Sequence, residues 1–133
     1  MQRSARGLIV GFAALAVFQA VLAAGVPLGR AAWGGEHAHL TTGQRIGSAV
    51  SVLVYLAAIV IVRRRAAGRP ERSYRWGMWA LAVLLAAAAL ANAASGSAWE
   101  NFLLAPVAIV LAALCVVVAR GERRTPGVAG LAR

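Results

Sequence analysis

The sequence predicts an all-α fold, a bundle of four transmembrane helices, and three observations predict it. Hydrophobic residues make up 61% of the 133, with a mean hydropathy of +0.73, against roughly 45–50% apolar residues in soluble domains. Four stretches, 7–24, 46–62, 76–94 and 102–119, are free of charge and match the roughly 17–25 apolar residues that cross a hydrocarbon core. The charges cluster at the ends of these stretches, which is the pattern of membrane topology and not of a nucleic-acid surface. With so little chain outside the spans, residues 1–133 form one membrane domain.

The first span, 7–24, follows Arg3 and Arg6. A basic start before an apolar run also fits a signal peptide. The run is long for that role, and Gly7-x-x-x-Gly11 is a helix-packing pattern, so a retained helix is the preferred reading. The second span, 46–62, is preceded by Thr41-x-x-Gln44, a capping box in which the two side chains satisfy each other's backbone amides. Six arginines between positions 63 and 75 close it and form the connection to the third span. That span, 76–94, is crowded with alanine (Ala86 to Ala89, Ala91, Ala93, Ala94), and small residues let helices approach closely in lipid. The fourth span, 102–119, follows Ser97-x-x-Glu100, a second capping box, and carries Pro106. Proline leaves the backbone ladder one donor short, so a kink is expected there.

Orientation follows from the arginines. Twelve of the 14 basic residues, all arginine, lie in the N-terminal tail, the 63–75 connection and the C-terminal tail; only Arg30 and Arg45 lie in the other two connections. The positive-inside rule then places both termini and the 63–75 loop in the cytoplasm. Tyr74, Trp76 and Trp79 form the inner aromatic belt, Trp33 and Trp99 the outer one. The halves echo each other: Ala32-Trp33-Gly34-Gly35-Glu36 resembles Ala98-Trp99-Glu100, and residues 53–65 resemble 110–123. Two repeated hairpins and mere compositional likeness both account for this.

Polar residues within the spans are Gln19, Ser48, Ser51, Tyr55 and Asn92. On the assigned orientation all lie at the midplane or in the outer half, and Ser48, Ser51 and Tyr55 share one helix face. The inner halves carry nothing more polar than Cys115, expected to be an inert packing residue. A channel or proton-coupled transporter needs polar groups across the whole membrane, so a continuous aqueous path in one protomer is not expected.

The connection 25–45 is long for so small a chain and carries Glu36, His37 and His39. These three could ligate a divalent metal, but H-x-H is a weak signal and solvated loop histidines are the plainer reading; no metal or other cofactor is assigned. Arg45 is expected to reach the headgroups or pair with Glu36 or Glu100. Since unsatisfied polar groups in hydrocarbon cost several kcal/mol, Gln19, Ser51, Tyr55 and Asn92 should face inward. The expected site is an outward-opening vestibule floored by Tyr55, lined by Ser51 and Asn92, walled by Pro106 and rimmed by Glu36, His37, His39, Arg45 and Glu100. The bland alternative leaves Glu100 as a helix cap only.

The runs Gly25-Val26-Pro27-Leu28-Gly29, Ala32-Trp33-Gly34-Gly35 and Arg45-Ile46-Gly47-Ser48-Ala49-Val50-Ser51, with Ala105-Pro106-Val107-Ala108, resemble small four-span uncharacterised membrane proteins of actinobacteria. That resemblance implies an inner-membrane location and carries over no activity and no site residues. The expected function is a non-enzymatic accessory bundle or a binder of a hydrophobic small molecule. A membrane-embedded enzyme acting on a lipid or isoprenoid-like substrate at the outer interface, with Glu36, His37, His39, Arg45 and Glu100 as its acid–base groups, is the alternative, and a dimeric transporter is a third. Expected partners are the bilayer and a second copy or another membrane protein, not nucleic acid.

Overall fold

The computed structural model describes residues 2–67 and 72–121 and contains four long helices. They are α1 (Gln2–Ala23), α2 (Thr42–Ala66), α3 (Arg72–Ala93) and α4 (Ala105–Arg120), the last entered through a π-helical turn over Glu100–Leu104. All four are long and apolar enough to span a membrane, counting the π turn with α4. The helices outrun the charge-free stretches because the backbone ladder continues through flanking polar residues. At α2, for instance, the Thr41 hydroxyl accepts the Gln44 amide and the Gln44 side chain accepts the Thr41 amide, so the helix begins at its capping box.

Two hairpins make the bundle. α1 packs most extensively on α2 and α3 on α4, with thinner seams between α1 and α4 and between α2 and α3. The core is lopsided. Its buried members are Ala5, Leu8 and Phe12 of α1, Ala58 and Val62 of α2, Met78, Leu81, Ala82 and Leu85 of α3, and Leu111, Cys115, Val118 and Ala119 of α4. All but Leu85 and Leu111 come from the half of their helix nearest the arginine-rich end. There the side chains are wholly apolar and interdigitate to close packing.

Glycine sets the α1–α4 approach. A Cβ on Gly11 would lie 2.5 Å from Leu111 Cδ2, and one on Gly7 would lie 3.4 Å from Leu114 Cδ1. The alanine-rich stretch of α3 behaves otherwise. Ala89 is buried and Ala88 partly so, but Ala86, Ala87, Ala91, Ala93 and Ala94 are exposed. Within the single chain only one face of the stretch packs on neighbouring helices, since a helix offers its partners only one face.

Arginines tie helix ends together. Arg45 Nε donates to the Ala23 carbonyl, 3.0 Å away, at the end of α1, and Arg65 Nη2 donates to the Gly121 carbonyl at 2.7 Å, just past α4. Both meet carbonyls left open by the last turn, where the helix dipole favours a cation. Arg120 lies over the Trp79 ring, 5.6 Å from its centroid. Of the sequence features named above, the middle of the 63–75 connection (68–71) and the C-terminal tail (122–133) lie outside the described residues.

Candidate functional site

The other half of the bundle, at the loop end, is hollow. A cavity of about 370 Å³ lies between all four helices. Gln19, Ser51, Tyr55, Asn92 and Glu100 are its side-chain polar lining, with Leu15, Phe18, Leu85 and Val107 among the apolar walls. Its inner end meets the apolar core at Tyr55, whose ring stacks on Phe12 with centroids 6.0 Å apart. Ser51 is internally satisfied, its hydroxyl donating to the Gly47 carbonyl one turn back at 3.0 Å. Gln19 is not: its Oε1 is buried and has no hydrogen-bond partner among the described residues.

The loop after α1 covers the cavity. Ala32 and Trp33 belong to its lining, and the Trp33 indole packs so closely on α2 that a Cβ on Gly47 would meet its ring at 2.7 Å. Trp33 Nε1 donates to the Ser48 hydroxyl at 3.1 Å. Trp33 has φ 55, followed by Gly34 at φ 84 and Gly35 at φ 74. Three successive left-handed residues turn the chain sharply, and the bulky first of them is strained. Glu100 holds that turn. Its Oε2 accepts the Gly34 amide at 3.0 Å and also the Ser95 hydroxyl. The Ser97 hydroxyl donates to the Arg30 carbonyl at 2.8 Å. Three tethers from α2 and from the α3–α4 connection thus pin the loop across the bundle.

The second capping box is therefore only half made. The Ser97 hydroxyl accepts the Glu100 amide at a long 3.5 Å, but the Ser97 amide donates to Ser95 and the Glu100 carboxylate turns to Gly34. Glu100 is buried, with 8% of its surface exposed. Its charge is met by an amide and a hydroxyl from two separate segments.

Of the expected site, the structure brings Ser51, Tyr55, Asn92 and Glu100 to one cavity. It does not bring Glu36, His37, His39 or Arg45 there. These four are exposed and absent from the lining, and Arg45 caps α1 instead of pairing with Glu36 or Glu100. The expected rim is corrected: with Gly34 drawn to Glu100, Trp33 covers the bundle, and the acid–histidine segment follows on the solvent side of that turn. Pro106 is exposed and is not a wall; its neighbours Val107 and Ala108 are. The chain reaches Pro106 through the π turn, in which the Ala105 amide donates to the Glu100 carbonyl five residues back. Among the described residues no three His, Cys, Asp or Glu side chains converge as a metal site.

The residues that sequence reasoning left out of the site are Trp33 and Ser48. Trp33 was assigned to the outer aromatic belt; 42% exposed, it also lines the cavity on its loop side. The signal was the Gly34-Gly35 pair directly after it, since paired glycines allow the left-handed turn that folds the indole inward.

Further space lies to either side. An apolar groove between α1 and α4 shares Leu15, Phe18, Leu104 and Val107 with the cavity. A smaller one between α2 and α3 shares Ser51, Tyr55, Leu85 and Ala88. The hollow half is thus flanked by grooves on the two thin seams, where bilayer lipid would lie.

No protein-family model, no curated protein and no solved structure matches the chain. Its function is read from geometry.

Proposed function

We propose that this chain is a multi-pass inner-membrane protein, both termini cytoplasmic, that binds a small hydrophobic molecule bearing one polar end in the cavity of its outer half. The observation that carries the reading is the unpartnered Gln19 Oε1 in a cavity that sets a few polar side chains among apolar walls. A buried amide oxygen without a donor costs on the order of 1–3 kcal/mol. A ligand's hydroxyl or amine beside Asn92 and Tyr55 would satisfy it. The volume, about 370 Å³, falls in the range of roughly 300–1,000 Å³ typical of ligand pockets. Because Trp33 covers the water side, entry is from the bilayer, along the α1–α4 or α2–α3 seam.

A binder is favoured over a membrane-embedded catalyst by two features. The acid–base groups Glu36, His37 and His39 lie outside the cavity, and the Glu100 carboxylate is engaged by the loop it holds.

The test uses 1-aminoanthracene, a flat apolar probe with one amine donor, titrated into the purified full chain by fluorescence. Saturable binding is expected. Gln19→Leu should weaken it by about two- to tenfold, the value of one hydrogen bond, and Ala88→Phe, which fills the cavity, should abolish it. Equal binding by the original chain and Ala88→Phe would refute the reading.

A further inference from the structure

The groove on the α1–α4 seam differs in character from the central cavity. Its volume is about 540 Å³, and its walls are almost wholly apolar: Gly11, Ala14 and Phe18 of α1 face Leu103 and Val107 across the seam, with Trp99 at the loop end. Among the lining residues only Arg30 is charged. The two arginines of this end of the bundle have different employment. Arg45 caps α1 through the Ala23 carbonyl, whereas the Arg30 side chain is exposed on the groove.

The short 3-10 turn carrying Arg30, Gly29–Ala31, is held at two points. The Gly29 amide donates to the Ala38 carbonyl at 2.8 Å, and the Arg30 carbonyl accepts from Ser97. Gly29 itself is buried, and a Cβ there would come within 2.5 Å of the His37 carbonyl oxygen, so only glycine lets the turn sit this low. The cation is thereby presented from a fixed backbone at the end of an apolar slot. Trp99, 60% exposed, lines the same groove, and tryptophan favours headgroup depth.

We propose that this groove binds one anionic phospholipid of the surrounding leaflet, an acyl chain lying between α1 and α4 and the phosphate paired with Arg30. Guanidinium forms two parallel hydrogen bonds to a phosphate, and a lipid with net negative charge leaves that pair unopposed by a headgroup cation. The inference rests on the membrane reading of the chain but not on what occupies the central cavity.

Native mass spectrometry of the full chain, offered phosphatidylglycerol or phosphatidylcholine with matched acyl chains, tests it. One phosphatidylglycerol should be retained with about tenfold preference, about 1.4 kcal/mol, because the choline cation of the other lipid opposes Arg30. Arg30→Gln, an exposed change, should abolish the preference, and Arg72→Gln at the opposite end should leave it intact. Ala14→Phe, filling the slot from α1, should release both lipids while 1-aminoanthracene still binds the central cavity. Inorganic phosphate should not displace the lipid. Equal retention of the two lipids, an undiminished preference in Arg30→Gln, displacement by phosphate alone, or a lipid-free dimer would each overturn the proposal.

Discussion

Glu100 is the residue on which the loop end turns. Removing its carboxylate strips the Gly34 amide and Ser95 hydroxyl of their acceptor, and a lost bond to a charged group is worth about 1.5–3 kcal/mol. Glu100→Ala is therefore expected to destabilise the chain by about 2 kcal/mol, read from chemical denaturation in detergent. Gln retains an acceptor oxygen, so Glu100→Gln should lose less. Gly34→Ala addresses the turn itself. Open space surrounds the added methyl, so the left-handed φ alone should set a cost of about 1 kcal/mol. The sequence announces a polar residue at position 100 and even a local role for it in capping. Its actual partner is 66 residues away, and no local pattern encodes a tertiary contact of that kind. The same holds for Arg45, whose partner at Ala23 is a backbone carbonyl that every residue possesses.

At the scale of the helix, the charge-free runs and caps gave four elements whose type and order the fold reproduces, because a hydrocarbon-spanning segment leaves the backbone no alternative partner. Ends were less legible: α2 extends from Thr42 to Ala66, well past its apolar run, since arginines are good helix formers and continue the ladder into the interface. Faces were legible only in part. Gly7 and Gly11 mark the α1–α4 approach, while the alanines of α3 could not announce which of them met a neighbour, small residues being equally at home against lipid. Gly11→Leu should separate α1 from α4 and destabilise by about 1–3 kcal/mol, the range for overpacking. The thermal midpoint in detergent is the readout, and an unchanged midpoint would place Gly11 against lipid.

Over the whole molecule, the split between an apolar half and a polar half was readable from where Gln19, Ser51, Tyr55 and Asn92 fall in their spans. The structure gives that split a shape, a filled core at the arginine-rich end and a cavity at the loop end. The cover over the cavity was not readable, because it depends on Trp33 taking a left-handed φ and meeting Ser48 fifteen residues on. The arginine distribution predicts which way the chain sits in the membrane. Reporter fusions at Gly68 and Gly127, both outside the described residues, should read as cytoplasmic and one at His39 as exterior. An exterior signal at Gly68 would reverse the assignment.

The central claim is that a polar cavity inside the bundle opens to lipid and is closed to water by Trp33. A nitroxide placed at position 92 (Asn92→Cys with Cys115→Ala), in reconstituted vesicles, tests it through collision with oxygen from the lipid phase and with a nickel chelate from water. Frequent oxygen collisions and few with nickel are predicted, with nickel access rising when Trp33→Gly removes the cover. Nickel access as high as at a label on His39→Cys with Trp33 in place, or no rise on its removal, would contradict the account.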